Sequence, residues 1–170
     1  MRSLQTMFPS LTKFSDLDWE AVTREYEATS IGISFPEYLQ IKAEQGDCPP
    51  YIYELAFYEL AAFDAKSSAT PFPHQPGIYL NPTALFLNLE FDIPRMLEEA
   101  ELGNIEVFER SHILCIYRDK DDVVNSIELD GPSLELLSEL EDGPVTKINE
   151  RNLNYKSLVK RGLILDLIEA

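Results

Sequence analysis

The chain predicts an α+β fold, with a helical N-terminal part and a C-terminal part built on a small antiparallel sheet. Three observations predict it. The first 66 residues carry apolar positions at helical spacing, and a proline-rich stretch at 67–77 interrupts that pattern. The last third runs strand, polar turn, strand and then three short helical signals, which is the order of a winged-helix module. The expected partition is a helical domain over 1–66, a linker over 67–77 and a winged-helix-like α+β module over 78–170.

Taken in order, Leu17, Ala21, Val22 and Tyr26 follow helical spacing, and Ser15 or Asp16 is placed to cap that helix. A second helix spans 34–44, with Ser34 as cap, Pro36 in the first turn and Glu37 at the capping-box position. Pro49 and Pro50 introduce a third over 51–64, apolar nearly all round and therefore buried. Ile52, Leu55, Ala56, Glu59 and Phe63 share one of its faces. Glu54 and Glu59 lie inside it, so each must face solvent or meet a cation, because an uncompensated buried carboxylate is costly. After the linker, 78–80 and 84–91 read as strands; in the second, Leu85, Leu87, Leu89 and Phe91 point one way. A short helix over 94–100 ends near Gly103. His112 to Arg118 is a strand rich in apolar strand formers, Asp119 to Asp122 a turn, and 123–129 the returning strand. A helical pattern over 133–140 is broken at 141–144, two more short segments follow, and Gly162 ends the last.

The net charge of −16, from 30 acidic and 14 basic residues, weighs against a polyanionic partner. Nucleic-acid affinity comes largely from Lys and Arg neutralising phosphates, and the dense basic cluster here is only Lys156, Lys160 and Arg161. A winged-helix DNA-binding regulator is thus the alternative, with DNA an unlikely partner. The acidic runs Glu98 to Glu101 and Asp119 to Asp122 read as solvated faces or as a docking surface for a basic partner.

Catalytic constellations are missing from the sequence. It contains no glycine-rich phosphate loop, no nucleophile elbow and no metal-spaced His/Cys cluster, so the expectation is a protein that is not an enzyme and holds no metal or cofactor of its own. His74 lies in the linker, where it reads as a solvated loop residue or as a side chain within reach of a partner. His112 reads as a strand-end polar residue. Tyr51 and Tyr53 cannot both face inward on one helix, so one is a candidate interface aromatic. Cys48 and Cys115 form no disulfide pattern, which fits a reducing compartment, and Cys115 reads as a buried thiol. No apolar run reaches membrane-spanning length and the start lacks a secretion-type apolar region, so a cytoplasmic protein without a membrane partner is expected.

Phe35-Pro-Glu-Tyr-Leu39, Pro50-Tyr-Ile-Tyr-Glu-Leu-Ala-Phe-Tyr-Glu-Leu-Ala61, Leu80-Asn-Pro82 and Leu89-Glu-Phe-Asp-Ile-Pro94, followed by the terminal strand pair and helices, resemble one family. It is the family labelled as DNA-binding domains whose members partner the multinuclear-iron oxygenases of peptide maturation, the methanobactin partner subunit among them. The resemblance implies a non-catalytic subunit. Its N-terminal helices would dock an iron enzyme, the iron lying in that partner. Its C-terminal module would bind the leader of a ribosomally made precursor peptide as an added strand. The strand pair and final helix would form the groove, lined by Ile113, Cys115, Tyr117, Leu153, Tyr155, Leu158 and Val159, with the edge at Ile113 to Tyr117 left open. Tyr51, Tyr53 and His74 would serve partner docking.

Overall fold

The computed structural model describes residues 3–14, 16–29, 32–148 and 154–168. Its elements are α1 Leu4–Met7, a 3-10 turn Leu11–Lys13, α2 Trp19–Thr29, α3 Phe35–Glu44, α4 Pro50–Ser67, β1 Ile78–Leu80, β2 Leu85–Phe91, α5 Ile93–Glu101, β3 Glu109–Arg118, β4 Val124–Leu129, α6 Gly131–Ser138, α7 Tyr155–Arg161 and β5 Ile164–Asp166. Helices and small antiparallel sheets are thus mixed, as the α+β expectation requires. The chain forms two compact units, each discontinuous in sequence: 1–63 with 88–112, and 64–87 with 113–170. This division differs from the expected 1–66 and 78–170, because the chain returns to the first unit after the proline-rich stretch.

The first unit is organised by aromatic packing. Phe35, at the start of α3, lies within 5.1–5.7 Å, ring centre to ring centre, of Phe8, Trp19 and Tyr26. These contacts pack the N-terminal segment and one side of α2 against α3, and tilted or edge-on ring pairs add to the area they remove from water. The α3 cap forms as its sequence predicts: the Glu37 N–H donates to Ser34 Oγ, and the Ser34 N–H donates back to the Glu37 carboxylate at 2.6 Å. The α2 cap moves from the expected site. Asp18 accepts the Ala21 N–H at 3.1 Å, Asp16 instead accepts the Tyr51 hydroxyl, and Ser15 lies outside the described residues.

Along α4, Ile52, Leu55 and Ala56 are fully buried with Glu54 and Glu59. Both carboxylates differ from the expectation, since neither faces solvent and among the described residues neither forms an ion pair. Glu59 accepts the Ser10 N–H at 2.8 Å. Glu54 accepts the N–H groups of Glu90 and Phe91 at 3.0 and 3.1 Å. Backbone amides satisfy the Glu54 carboxylate without bringing a second charge into the core, whereas Glu59 Oε2 is buried without a hydrogen-bond partner. Burial pushes both groups above the ordinary carboxylate range.

The second unit has one apolar core made of Ile78, Cys115, Tyr117, Ile127, Leu129, Leu136, Leu137, Leu140, Tyr155, Leu158, Leu163 and Ile164. β1 and β5 pair antiparallel, with Ile78 opposite Asp166 and Leu80 opposite Ile164. Val145 exchanges two backbone hydrogen bonds with Ile78, at 2.9 and 3.1 Å, and so forms a bridge; the helical segment expected between 144 and α7 falls partly on residues 149–153, outside the described residues. Among the described residues, two helices, α6 and α7, follow the hairpin. Asn81 is buried where these parts meet. Its amide donates to the Arg118 and Gly162 carbonyls, both at 2.9 Å, and its Oδ1 accepts the Thr83 N–H and hydroxyl. Gly162 takes φ +79°, a left-handed cap that ends α7 and is readily accessible to glycine.

Among β2, β3 and β4 the strand order is β2-β3-β4. The even alternation expected for β2 is only partly realised, since Leu89 is buried while Leu85 is exposed.

Candidate functional site

The position of β3 reassigns the expected groove. β3 is the middle strand, so the segment Ile113 to Tyr117 is not an open edge. Cys115 is 0% and Tyr117 2% exposed, and Leu114 and Ile116, on the opposite face, are buried as well. A strand covered on both faces and paired on both sides has no backbone group left for a peptide. The reason for the misreading is physical: the uncharged run that makes a strand an attractive edge is the same run that suits the centre of a sheet.

Among the described residues, the outer strand of this part of the sheet is β4. It pairs with β3 in the register Ile113–Leu129, Cys115–Ile127 and Tyr117–Asn125, and no strand lies beyond it among the described residues. The hairpin opens with the Asp119 N–H donating to the Val123 carbonyl at 2.9 Å. Hydrogen-bonded pairs alternate along an antiparallel ladder, so Asn125, Ile127 and Leu129 bond inward to β3. The backbone of Val124, Ser126 and Glu128 is therefore turned toward the edge.

Beside that edge runs a cleft of about 270 Å³ lined by Ile127, Glu128, Asp130, Ser133, Asn154, Ser157, Leu158 and Arg161. Asn154, Ser157, Leu158 and Arg161 are spaced i, i+3, i+4, i+7, so a single stripe of α7 and the residue before it forms the far wall. Ile127 and Leu158 supply the apolar floor. At one end Asp130 caps α6 by accepting the Ser133 N–H at 2.9 Å, and the Asn154 amide reaches Asp130 Oδ1 at 2.8 Å and Ser133 Oγ at 2.9 Å. The hydrogen bonds from the Ser133 hydroxyl and amide, then from Asn154, hold the Asp130 carboxyl below its usual range. At the other end the Tyr117 hydroxyl donates to the Arg161 carbonyl at 2.9 Å, and Tyr117 lies opposite Asn125. α7 therefore runs antiparallel to β4, with Asn154 near the end of the strand and Arg161 near its start.

The expected site residues distribute as follows. Leu158 lines the cleft. Ile113 is half-buried on the central strand. Tyr155 is buried, and its hydroxyl donates to Asp166 at 2.7 Å, away from the cleft wall. Val159 lines a separate hollow with Ile78, Tyr155, Lys156, Lys160, Asp166 and Ile168. Leu153 lies outside the described residues. Tyr51 is buried and donates its hydroxyl to Asp16 at 2.7 Å, whereas Tyr53 is half-buried with its ring edge-on to Phe57. His74 is exposed, and His112 is buried with Nδ1 2.8 Å from the Arg110 carbonyl.

The sequence reading missed Ile127, Asp130, Ser133, Asn154, Ser157 and Arg161. A signal for them was present: Asp130-Gly-Pro-Ser133 is a helix-start pattern, and the polar stripe on α7 has helical spacing. Among the described residues, no group of three or more His, Cys, Asp or Glu side chains is arranged to hold a metal ion. No helix there is long and apolar enough to cross a membrane. No protein-family model matches this chain, and no curated protein matches it either.

Proposed function

We propose that this chain is a non-catalytic partner subunit that binds the leader of a precursor peptide as an added strand on β4. In this reading the part from β3 to α7 acts as a winged-helix-like recognition module, and the chain docks an iron-dependent peptide-modifying enzyme that carries the metal. The cleft beside β4, the outer strand of the sheet among the described residues, carries the reading. An open edge is a liability in a monomer, and pairing it with a peptide satisfies its backbone groups while a neighbouring helix reads the side chains. The motif resemblance supplies the enzyme partner and the leader peptide, and the cytoplasmic setting rests on the cysteine usage and the lack of a membrane-spanning apolar run. Tyr53 and His74 keep a docking role in this proposal; Tyr51 does not, since Asp16 and the core hold it.

Ser126→Pro tests the reading. Ser126 lies opposite Ile116 in a pair that does not bond across the ladder, so its N–H faces the edge and proline there removes an outward donor alone. Titration of a degenerate panel of dye-labelled extended peptides, followed by anisotropy, should show binding that the variant weakens by about tenfold or more. The circular dichroism spectrum should stay unchanged. Peptide binding indifferent to Ser126→Pro, or no binding to the parent chain, would overturn the proposal.

A further inference from the structure

The two ends of the β4 cleft differ in charge. Asp130 stands where β4 ends, fixed by Ser133 and Asn154. Arg161 stands where β4 begins, one helical turn beyond Leu158, and is exposed. Asp119, Lys120, Asp121 and Lys160 line a neighbouring hollow with Arg161, and of these Asp119 is folded into its own hairpin. It accepts the N–H groups of Asp121 and Val123 at 2.9 and 3.0 Å and the Asn125 amide at 2.9 Å. Glu128 also lines the cleft and is exposed, so the Asp130 half of the cleft carries a second carboxylate. Along the wall facing α7 the order is therefore anionic, apolar, cationic.

The dimensions match a short strand. From Asn154 to Arg161 the helix advances about 10 Å at 1.5 Å per residue. Five residues of extended chain span four rises, about 13 Å, with alternate side chains on one face. An added strand thus presents three side chains to the wall, one at each end and one over Ile127 and Leu158.

We infer, resting on the strand-addition reading above, that the cleft selects peptides by charge order. The preferred segment has a basic side chain at the Asp130 end, an aliphatic one over Ile127 and Leu158, and an acidic one at the Arg161 end. A strand antiparallel to β4 continues the pattern of the sheet and enters at the Asp130 end, so the motif reads basic-x-aliphatic-x-acidic from N to C. Arg161 presents a planar fork of donors suited to a carboxylate, which gives the acidic position geometric as well as electrostatic selection.

The test compares two acetylated, amidated, dye-labelled peptides of identical composition, Ser-Lys-Thr-Leu-Thr-Glu-Ser and its charge-swapped counterpart Ser-Glu-Thr-Leu-Thr-Lys-Ser. The first should bind the full chain about tenfold more tightly than the second. Arg161→Glu makes both ends anionic, so it should abolish the preference, and Asp130→Asn, which keeps the helix cap, should weaken the first peptide alone. Equal affinities that Ser126→Pro abolishes would overturn the charge rule while leaving strand addition intact. A preference that survives Arg161→Glu would also overturn the rule. Binding of neither peptide, nor of any member of the degenerate panel, would overturn both.

Discussion

The carboxylate of Glu54, a residue only 4% exposed, accepts the backbone N–H groups of Glu90 and Phe91 at 3.0 and 3.1 Å. A side chain from α4 thereby does the work of a neighbouring strand at that end of β2. This explains how an acidic residue persists within the most apolar helix of the chain.

Glu54→Ala should lower unfolding stability by about 2–4 kcal/mol, because it leaves two amide donors without an acceptor and opens a gap. Glu54→Gln keeps an acceptor and separates charge from shape. Burial is the leading cause raising the Glu54 pKa above its ordinary 4.5, outweighing the two amide hydrogen bonds. A folded-state value above the unfolded one means the contribution of this group is full below pH 4.5 and is lost as pH rises through the raised value. Urea unfolding across that window should show the parent chain losing stability relative to Glu54→Gln as pH rises. A parent chain that instead gains stability relative to the variant would contradict the burial argument.

Asn81 ties β1 to the ends of β3 and α7 through the Arg118 and Gly162 carbonyls. Asn81→Ala strands those carbonyls and the Thr83 groups, and should cost about 2–4 kcal/mol by chemical denaturation. Asn81→Asp retains the acceptor for Thr83 but turns a negative oxygen toward two carbonyls, so it should be at least as damaging at neutral pH. Near-wild-type stability of the aspartate variant would show that the hub is relaxed by water.

Cys115 sits in the middle of the central strand, and burial pushes its thiol up to about 12. The Cys48 thiol is also buried and raised; its Sγ lies 3.6 Å from the Leu39 carbonyl. A thiol reagent needs an exposed thiolate, so neither should react in the native chain at neutral pH, and both should react in denaturant. Cys115→Pro should unfold the second unit, since it removes a donor from a strand bonded on both sides. A folded Cys115→Pro variant, judged by circular dichroism, would return β3 to the edge.

What the sequence determined by itself was local. Helix starts at Ser34 and Asp130, the turn at 119–122, the hairpin over 112–129 and the stop at Gly162 were all legible or nearly so. Caps, turn residues and apolar periodicity act over a few positions and need no distant partner. The α+β class followed from the same signals in order. Tertiary structure alone decided which strand became the edge, because Ile113 to Tyr117 has one composition whether one or two neighbours pair with it. It also decided that Glu54 and Glu59 rest on amides brought from residues 36 and 49 positions away in the chain. Such partners depend on how the chain closes on itself, and no window around a glutamate records that. The same closure placed Arg161 and Asp130 at opposite ends of one cleft, turning a solvated helix face and a helix cap into a surface with a direction.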